Sequence, residues 1–529
     1  MWVLTGKIVT FDDGDRVLEG GSLFIGDDGR IAGVTAAGET PPAGFDGARR
    51  VRVGGFVYPG LIDLHNHLPY NTIGLWREPT RRVPFVDHNE WTEKAHAPSY
   101  RPDVSAPGQF LGWVSGVSLM AYVEMKALLG GTTTVQGNGK VNFAGSGSLA
   151  RNIDSERFGT DRPDYLVTTL VKTDPLELAG QATAMVDHGA GFIYHVAEGV
   201  DPELREDEFD VAVDGGVVRR RLIAIHGVAL NPGRLQQLKR AGAALVWSPF
   251  SNMWLYGATA DIGTATRQKL RVCLGSDWSP SGTKHVLGEL KVADLWNRNP
   301  AEWAPPGAPP PPPTPVFSDL ELCRLVTANP GDAIAEVFGP QIGRLQDGCL
   351  ADLIVVARRD DDSYRNLIEA TERDVQLVVV GGEPRLGTPE AMKAAGGRPN
   401  TVFTAGPGLR RAALLRSPAD PTKLLSWRSV TGRLAEVRAD PDAAQRELAL
   451  ALAAVAGDLS DTSAPFVVIG DMPLGEGFGP RVAGRNDPPE PCPIPPLDSL
   501  THDAAFFDSI DSHTFHRGLL SPLRVYYDV

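Results

Sequence analysis

From residue 56 to about 340 the sequence alternates between short apolar, β-branched runs and stretches with helical spacing, and few folds accept that order. "SGVSLMAYVEMKALLGG" puts Val117, Met120, Ala121 and Leu128 on one helical face and stops at Gly130-Gly131, after which "TTTVQG" reads as a strand. "PLELAGQATAMVDHG" repeats the pattern with Leu178, Ala182, Met185 and Val186, ends at Gly189, and feeds "GFIYHVAE". "RLIAIHG" is a strand, and "NPGRLQQLKRAG" is a helix capped by Asn231 with Pro232 at its first position. "AALVWSP" and "VCLGSDW" are two more strands. The alternation implies an α/β fold of parallel strands joined by helical crossovers. Its natural closure is a (β/α)8 TIM-like barrel, in which chemistry sits at the C-terminal strand ends. Between "TTTVQG" and "GFIYHVAE" such a barrel needs two more units. One clear strand, "DYLVTTLV", is there, so either one unit is truncated around "LARNID" or the count differs.

The flanks read differently. Residues 1–55 hold short strands with an Asp-Asp-Gly hairpin signal in "GSLFIGDDGRIAGV", and "GRLQDGCLADLIVVA" and "VQLVVVGGEPRL" return to strands after the barrel. The expected organisation is a small β-sandwich domain from 1–55 and 343–395, with the barrel (56–342) inserted between them. A C-terminal extension, 396–529, has no assigned role. Within the barrel, 76–113 is expected to be a long loop carrying Trp91, Tyr100, His88 and His96, and it is read as a lid. The run "PPGAPPPPPTP" (305–315) is a stiff polyproline spacer.

Composition excludes several classes. A net charge of −14 lacks the basic footprint of a nucleic-acid binder. No run approaches the roughly 20 apolar residues of a membrane span, and "MWVLTGKIVTFDDGD" does not read as a signal peptide. The scattered cysteines Cys273, Cys323, Cys349 and Cys492 read as reduced thiols of a cytoplasmic protein.

The chemistry lies at the strand ends. In "FVYPGLIDLHNHLPYN" two histidines one residue apart follow an apolar run, so His65 and His67 project side by side. His195 and Glu198 end "YHVAE", His226 ends "AIHG", and Asp277 ends "LGSDW". In a barrel all six lie at one mouth, where imidazoles and a carboxylate suit Zn²⁺ or Fe²⁺ with a position left open for water. A single histidine at a strand end is more often structural. Four strands each placing a metal-competent residue at the same end is not a coincidence expected of packing.

Through "PGLIDLHNH", "HVAE", "AIHG", "SPFSN", "LGSDWSPSG" and "GRLQDGCLADLIVV" the sequence resembles the amidohydrolase superfamily. Within it the likeness is to the group containing guanine, methylthioadenosine and cytosine deaminases and chlorotriazine hydrolases, over about residues 1 to 395. The resemblance implies that His65, His67, His195 and Asp277 bind one divalent metal, zinc first and iron or manganese as alternatives. It also implies that Glu198 shuttles a proton, that His226 polarises the water or the developing oxyanion, and that Asp277 accepts the water's proton. The implied reaction is hydrolysis of a non-peptide C–N bond, most simply deamination of a nitrogen heterocycle. It further implies a homodimer or larger homo-oligomer, with a small molecule as substrate.

Two other readings stand beside this one. In a two-metal arrangement His195 and His226 both ligate and a carboxylated Lys172 forms the bridge, for a cyclic-amide or amide substrate; Glu198 has no task there. In the other, the barrel is a non-catalytic binder. Trp91, Asn252, Trp278 and Ser281 are candidate substrate contacts, with Ser251 as an alternative to Asn252. "GNGK" and "GSGS" lack the full spacing of a phosphate loop. The tail histidines His502, His513 and His516 read as packing, and His285, which follows the last strand and could reach the mouth, is not counted among the site residues.

Overall fold

In the computed structural model, residues 1–137, 140–141, 149–156, 158–159, 165–168, 175–304, 314–455, 467–468 and 489–527 are described. One extended run links its two β layers. Arg49–Pro59 is an eleven-residue strand, long enough to pair with Trp2–Val9 in parallel on one edge and with Leu353–Val356 antiparallel on the other. After Gly60 the chain continues directly into the short strand Leu61–Asp63, so both histidines of "LHNH" hang from the end of one continuous segment.

Strands from both flanks meet in that first layer. All nine strands are hydrogen-bonded into one sheet, in the spatial order Thr401–Gly406, Leu409–Ala413, Glu383–Gly387, Val375–Val380, Leu353–Val356, Arg49–Pro59, Trp2–Val9, Val17–Ile25, Ile31–Thr35. The Asp-Asp-Gly hairpin forms as expected between Val17–Ile25 and Ile31–Thr35, with Gly29 at φ +77°. At the other edge two strands from beyond residue 396 extend the sheet.

The second layer is parallel throughout. Leu61–Asp63, Thr132–Val135 and Arg151–Asn152 form a three-stranded sheet. Tyr165–Thr168, Gly191–Val196, Leu222–His226, Ala244–Trp247 and Arg271–Leu274 form a five-stranded one. The doubtful unit around "LARNID" is present as the two-residue strand Arg151–Asn152. The first and last of these strands are tied at their C-terminal ends. His67 N donates to Asp277 O and Asp277 N donates to His65 O, each at 2.9 Å.

Two element boundaries differ from the sequence reading. The helix expected from residue 115 begins at Ala106 and runs to Leu129, with Pro107 in its first turn, where a missing N–H costs nothing, and a non-helical break at Ser115. Gly108, Gly112 and Gly116 hide its first half from periodicity. The stretch before it is not all loop: Asp87 caps a short helix, His88–Thr92, that buries Trp91. The backbone of Val86 and Asp87 is pinned to Gly199 and Val200.

The tail packs back over the parallel strands. In helix Ala504–Ser512 the residues Phe506, Phe507 and Ile510 are buried, and His513 accepts no water-facing role: its ring lies 4.0 Å from that of Trp254. Asp498 sits between two buried ammonium groups, Lys126 and Lys284. Burial pushes the Asp498 carboxyl up, but the two lysines outweigh it and hold its pKa below the usual range, while burial lowers Lys126 to about 8. Removing one partner of a buried ion pair typically costs about 3–5 kcal/mol. Asp498→Ala should therefore lower the urea unfolding free energy by about that much, and a loss under about 1 kcal/mol would show that the carboxylate does not hold the tail down.

Candidate active site

The histidine pair is locked in place from below. Asp63, buried at its strand end, accepts from His65 N at 3.3 Å, Ser276 N at 3.1 Å and Asn66 Nδ2 at 3.0 Å, and also from the Ser276 hydroxyl. One carboxylate thus ties the first strand's loop to the last strand's loop. Between them Gly275 permits close contact: a Cβ there would come within 2.5 Å of His65 Cβ.

The other strand ends deliver His195, Glu198, His226 and Asp277 to the same point. His195 pairs in register with Ile225, and Val196 with His226, which sets the two imidazoles on neighbouring strands. His226 (φ +65°) and Asp277 (φ +61°) both adopt the left-handed backbone conformation. Non-glycine residues hold it at a cost of about 1–3 kcal/mol, usually at functional sites, and here it turns each side chain off its strand axis. The ring centroids of His67, His195 and His226 lie 5.1, 4.7 and 4.9 Å from that of His65. Asp277 Oδ1 is 3.1 Å from His65 Nε2 and 3.4 Å from His67 Nε2.

These residues fit a metal ion. His65, His67 and His195 offer ligand atoms within 4.8 Å of one another, as do His65, His226 and Asp277. Neither ring nitrogen of fully buried His65 meets hydrogen-bond geometry, nor does Nδ1 of His195, and orphaned buried nitrogens are costly unless something else engages them. The protonation states agree. Burial, reinforced by the neighbouring imidazoles, pushes His195 well below the usual histidine range, leaving a neutral ligand. Burial alone would raise Asp277, but His65, His67 and the Ser251 hydroxyl hold it low and ionised.

Glu198 moves the opposite way. Burial, with Asp277 and Glu208 adding, raises it to about 8 against the pull of His88 and Tyr256, so it carries a proton at neutral pH. Tyr256 Oη donates to Glu198 Oε1 at 2.7 Å, and Trp91 Nε1 donates to Tyr256 Oη at 2.7 Å. His88 pairs with Glu208 at 2.7 Å, and Glu208 in turn accepts from Ala197 N. Tyr256, His88 and Glu208 were not among the expected site residues. Tyr256 reads as core ahead of the helix stop Gly257, and Glu208 hides in the charge run "REDEFD".

The four candidate substrate contacts all lie here, with their polar atoms engaged by the site itself. Trp91 bonds Tyr256, and Trp278 Nε1 donates to Ser281 Oγ at 2.6 Å. Ser281 Oγ is 2.9 Å from Ser251 Oγ, which donates to Asp277 Oδ2 at 2.6 Å. Asn252 Nδ2 lies 3.1 Å from His226 Nδ1. The Trp278 ring packs against His67 and Trp91 at 5.5 and 5.8 Å. Lys172 lies outside the described residues.

A second buried cluster, His285, Glu372 and His502, also has metal-like spacing. Its hydrogen bonds argue otherwise. Gly288 N donates to His285 Nδ1 and Lys284 N to His502 Nε2, each at 3.3 Å, so the ring protons sit on the opposite nitrogens. His502 Nδ1 bonds Glu372 Oε1 at 2.5 Å, and His285 Nε2 lies 3.1 Å from the same oxygen without meeting hydrogen-bond geometry. Two N–H groups aimed at one carboxylate make a clamp that fastens the tail.

Residues 177–385 match the Amidohydrolase family. A 5-methylthioadenosine/S-adenosylhomocysteine deaminase of Pyrococcus abyssi is 28% identical over 186 residues, 33% of this chain and only 40% of that relative's length. The enzyme of the same name from Syntrophobacter fumaroxidans is 28% identical over 394 residues, 67% of this chain and 84% of the relative. Among solved structures, atrazine chlorohydrolase from Arthrobacter aurescens complexed with zinc superimposes with a TM-score of 0.53 at 21% identity, covering 73% of this chain and 95% of that one. The family match spans three of the strands that bear site residues, and the likeness in fold and the imidazole–carboxylate cluster agree with it.

Proposed function

We propose that the chain is a one-metal hydrolase that removes an amino group from a nitrogen heterocycle, releasing ammonia. The observation that carries this reading is Glu198: a carboxyl held protonated to about pH 8, buried beside an imidazole cluster that fits a metal. A two-metal amide hydrolase needs no such acid. Deaminase relatives and a zinc-containing structural neighbour support the reading. For the fold, we take the three- and five-stranded parallel sheets to close into a (β/α)8 barrel carried on the β layer of the two flanks.

His65, His67, His195 and Asp277 would hold the metal, zinc by likeness to that neighbour. When bound, such a metal lowers the pKa of a water towards about 7 and so supplies hydroxide at neutral pH. Asp277 Oδ1, facing the His65–His67 pair, takes the proton of the attacking water. His226 donates to the oxygen on which charge develops. Glu198 gives its proton to the ring nitrogen beside the attacked carbon, the proton taken up by Asp277 leaves with the amine as ammonia, and the last hydroxyl proton returns to Glu198 as the C=O forms. The indoles of Trp91 and Trp278 form an aromatic wall beside His67, suited to a flat ring. Asn252 and Ser281 act through His226 and the Ser251–Asp277 bond. Among the described residues no helix is long and apolar enough to cross a membrane, and the four thiols are unpaired, which suits the reducing cytoplasm.

Elemental analysis should find close to one zinc per chain, and aminated heterocycles should yield ammonia. Glu198→Gln should keep the metal while turnover falls by about 10²–10⁴-fold; full activity in that variant would sink the assignment. Asp277→Ala should lose both metal and turnover. Because the acid form of Glu198 is the active one, turnover should fall as pH rises through its pKa. Tyr256→Phe removes a donor that favours the carboxylate, so this alkaline limb should move to higher pH, measured as log kcat against pH. A limb that stays put or moves down would mean that Tyr256 does not act on Glu198.

A further inference from the structure

His226 is held from behind by Asn252, and Asn252 by two further side chains that the chemistry above leaves unused. Trp247 Nε1 donates to Thr259 Oγ1 at 2.7 Å, Thr259 Oγ1 lies 3.1 Å from Asn252 Oδ1, and Asn252 Nδ2 lies 3.1 Å from His226 Nδ1. All four residues are buried, so water cannot repair a mismatch. All three supports come from one segment, "WSPFSNMWLYGAT", in which Trp247 ends a strand, Asn252 rides the helix Pro249–Tyr256, and Thr259 follows the left-handed turn at Gly257.

The polarity of this chain follows from its head and from the threonine's one proton, which is donated to Asn252 Oδ1. An indole nitrogen only donates. Thr259 Oγ1 accepts that proton, and its own single proton is left for Asn252 Oδ1. The amide must then turn Nδ2, which only donates, towards His226 Nδ1. The reverse amide orientation would set Nδ2 against an oxygen already accepting from Trp247 and leave the threonine proton without this acceptor. We propose that Trp247, Thr259 and Asn252 are positioning residues that set the tautomer of His226, keeping Nδ1 as an acceptor so that Nε2 carries the proton and faces the site as a donor. The inference deepens the one-metal reading and rests on it for its use in catalysis. An Nε2 that carries a proton cannot also ligate a metal, so the site is limited to three imidazole ligands, His65, His67 and His195.

The test reads the tautomer directly. In zinc-loaded full-length protein labelled with ¹⁵N-histidine, long-range ¹H–¹⁵N correlation spectra distinguish protonated from bare ring nitrogens, and His226→Gln identifies the His226 signals by their loss. The expected pattern is a protonated Nε2 and a bare Nδ1. Thr259→Val should let the amide turn and shift His226 towards the Nδ1–H tautomer, with kcat falling more than KM changes, and Thr259→Ser should restore both. Trp247→Phe is the second variant if the first does not fold. A protonated Nδ1 in the unsubstituted protein, or an unchanged tautomer in a folded Thr259→Val or Trp247→Phe, overturns the proposal. Neither of those results bears on whether ammonia is released, whereas two metals per chain with Nε2 still protonated would overturn the one-metal reading and leave the tautomer chain standing.

Discussion

The site depends on a backbone bridge. Two reciprocal hydrogen bonds join His65, His67 and Asp277, so residues 210 and more apart in sequence are spaced by main-chain geometry rather than by side-chain reach. Side chains can slip by an ångström, but a paired backbone cannot without losing both bonds. Asp63 strengthens the bridge by taking donors from both of its sides, and Gly275 lets the strands approach closely enough to form it. Four donors aimed at this carboxylate oppose the cost of burying it, although burial still raises its pKa.

On that frame the environment assigns the protons. Three acidic or basic types share one buried cluster and titrate in different directions: His195 and His226 are driven neutral, Asp277 stays ionised, and Glu198 keeps its proton. Pairs of groups whose surroundings push their pKa values apart are how one site presents a base and an acid at the same pH. The separation here is geometric. Asp277 lies against imidazoles and the Ser251 hydroxyl, while Glu198 lies behind apolar rings and a single tyrosine hydroxyl, with its strongest counter-charge, His88, already spent on Glu208.

The six strand-end residues were legible because each one terminates an apolar run, and period-two alternation fixes which side of the strand it leaves from. Asn231 and Pro232 likewise announced their helix, which forms with the Asn231 side chain accepting from Arg234 N. Tyr256 and Glu208 were not legible, because nothing within a few residues of either refers to Glu198. Tyr256 reaches it across 58 positions, and Glu208 acts through Ala197 and His88. The single nine-stranded sheet was hidden for a similar reason: strand identity is local, whereas the pairing that turns two flanks into one sheet is decided by the length of Arg49–Pro59. The lid stretch misled in the opposite sense. Its glycines and prolines suppress a helical signal that tertiary packing restores.

The tail gains its physical sense from this arrangement. Helix Pro249–Tyr256 carries Ser251, Asn252 and Tyr256, and so touches Asp277, His226 and Glu198 in turn. On the far side of that helix Trp254 meets His513, which also bonds the Trp254 carbonyl at 2.9 Å, and Phe250 stacks on Phe506. The tail is therefore the floor against which one helix holds contacts to Asp277, His226 and Glu198. Its grip comes from the buried Glu372 clamp and the part-buried Asp498 ion pairs. Loosening either one lets the helix shift as a body, and a body shift moves the groups proposed as acid, base and oxyanion donor together. A site tuned to separate their protons tolerates that less well than the loss of any one contact at its rim.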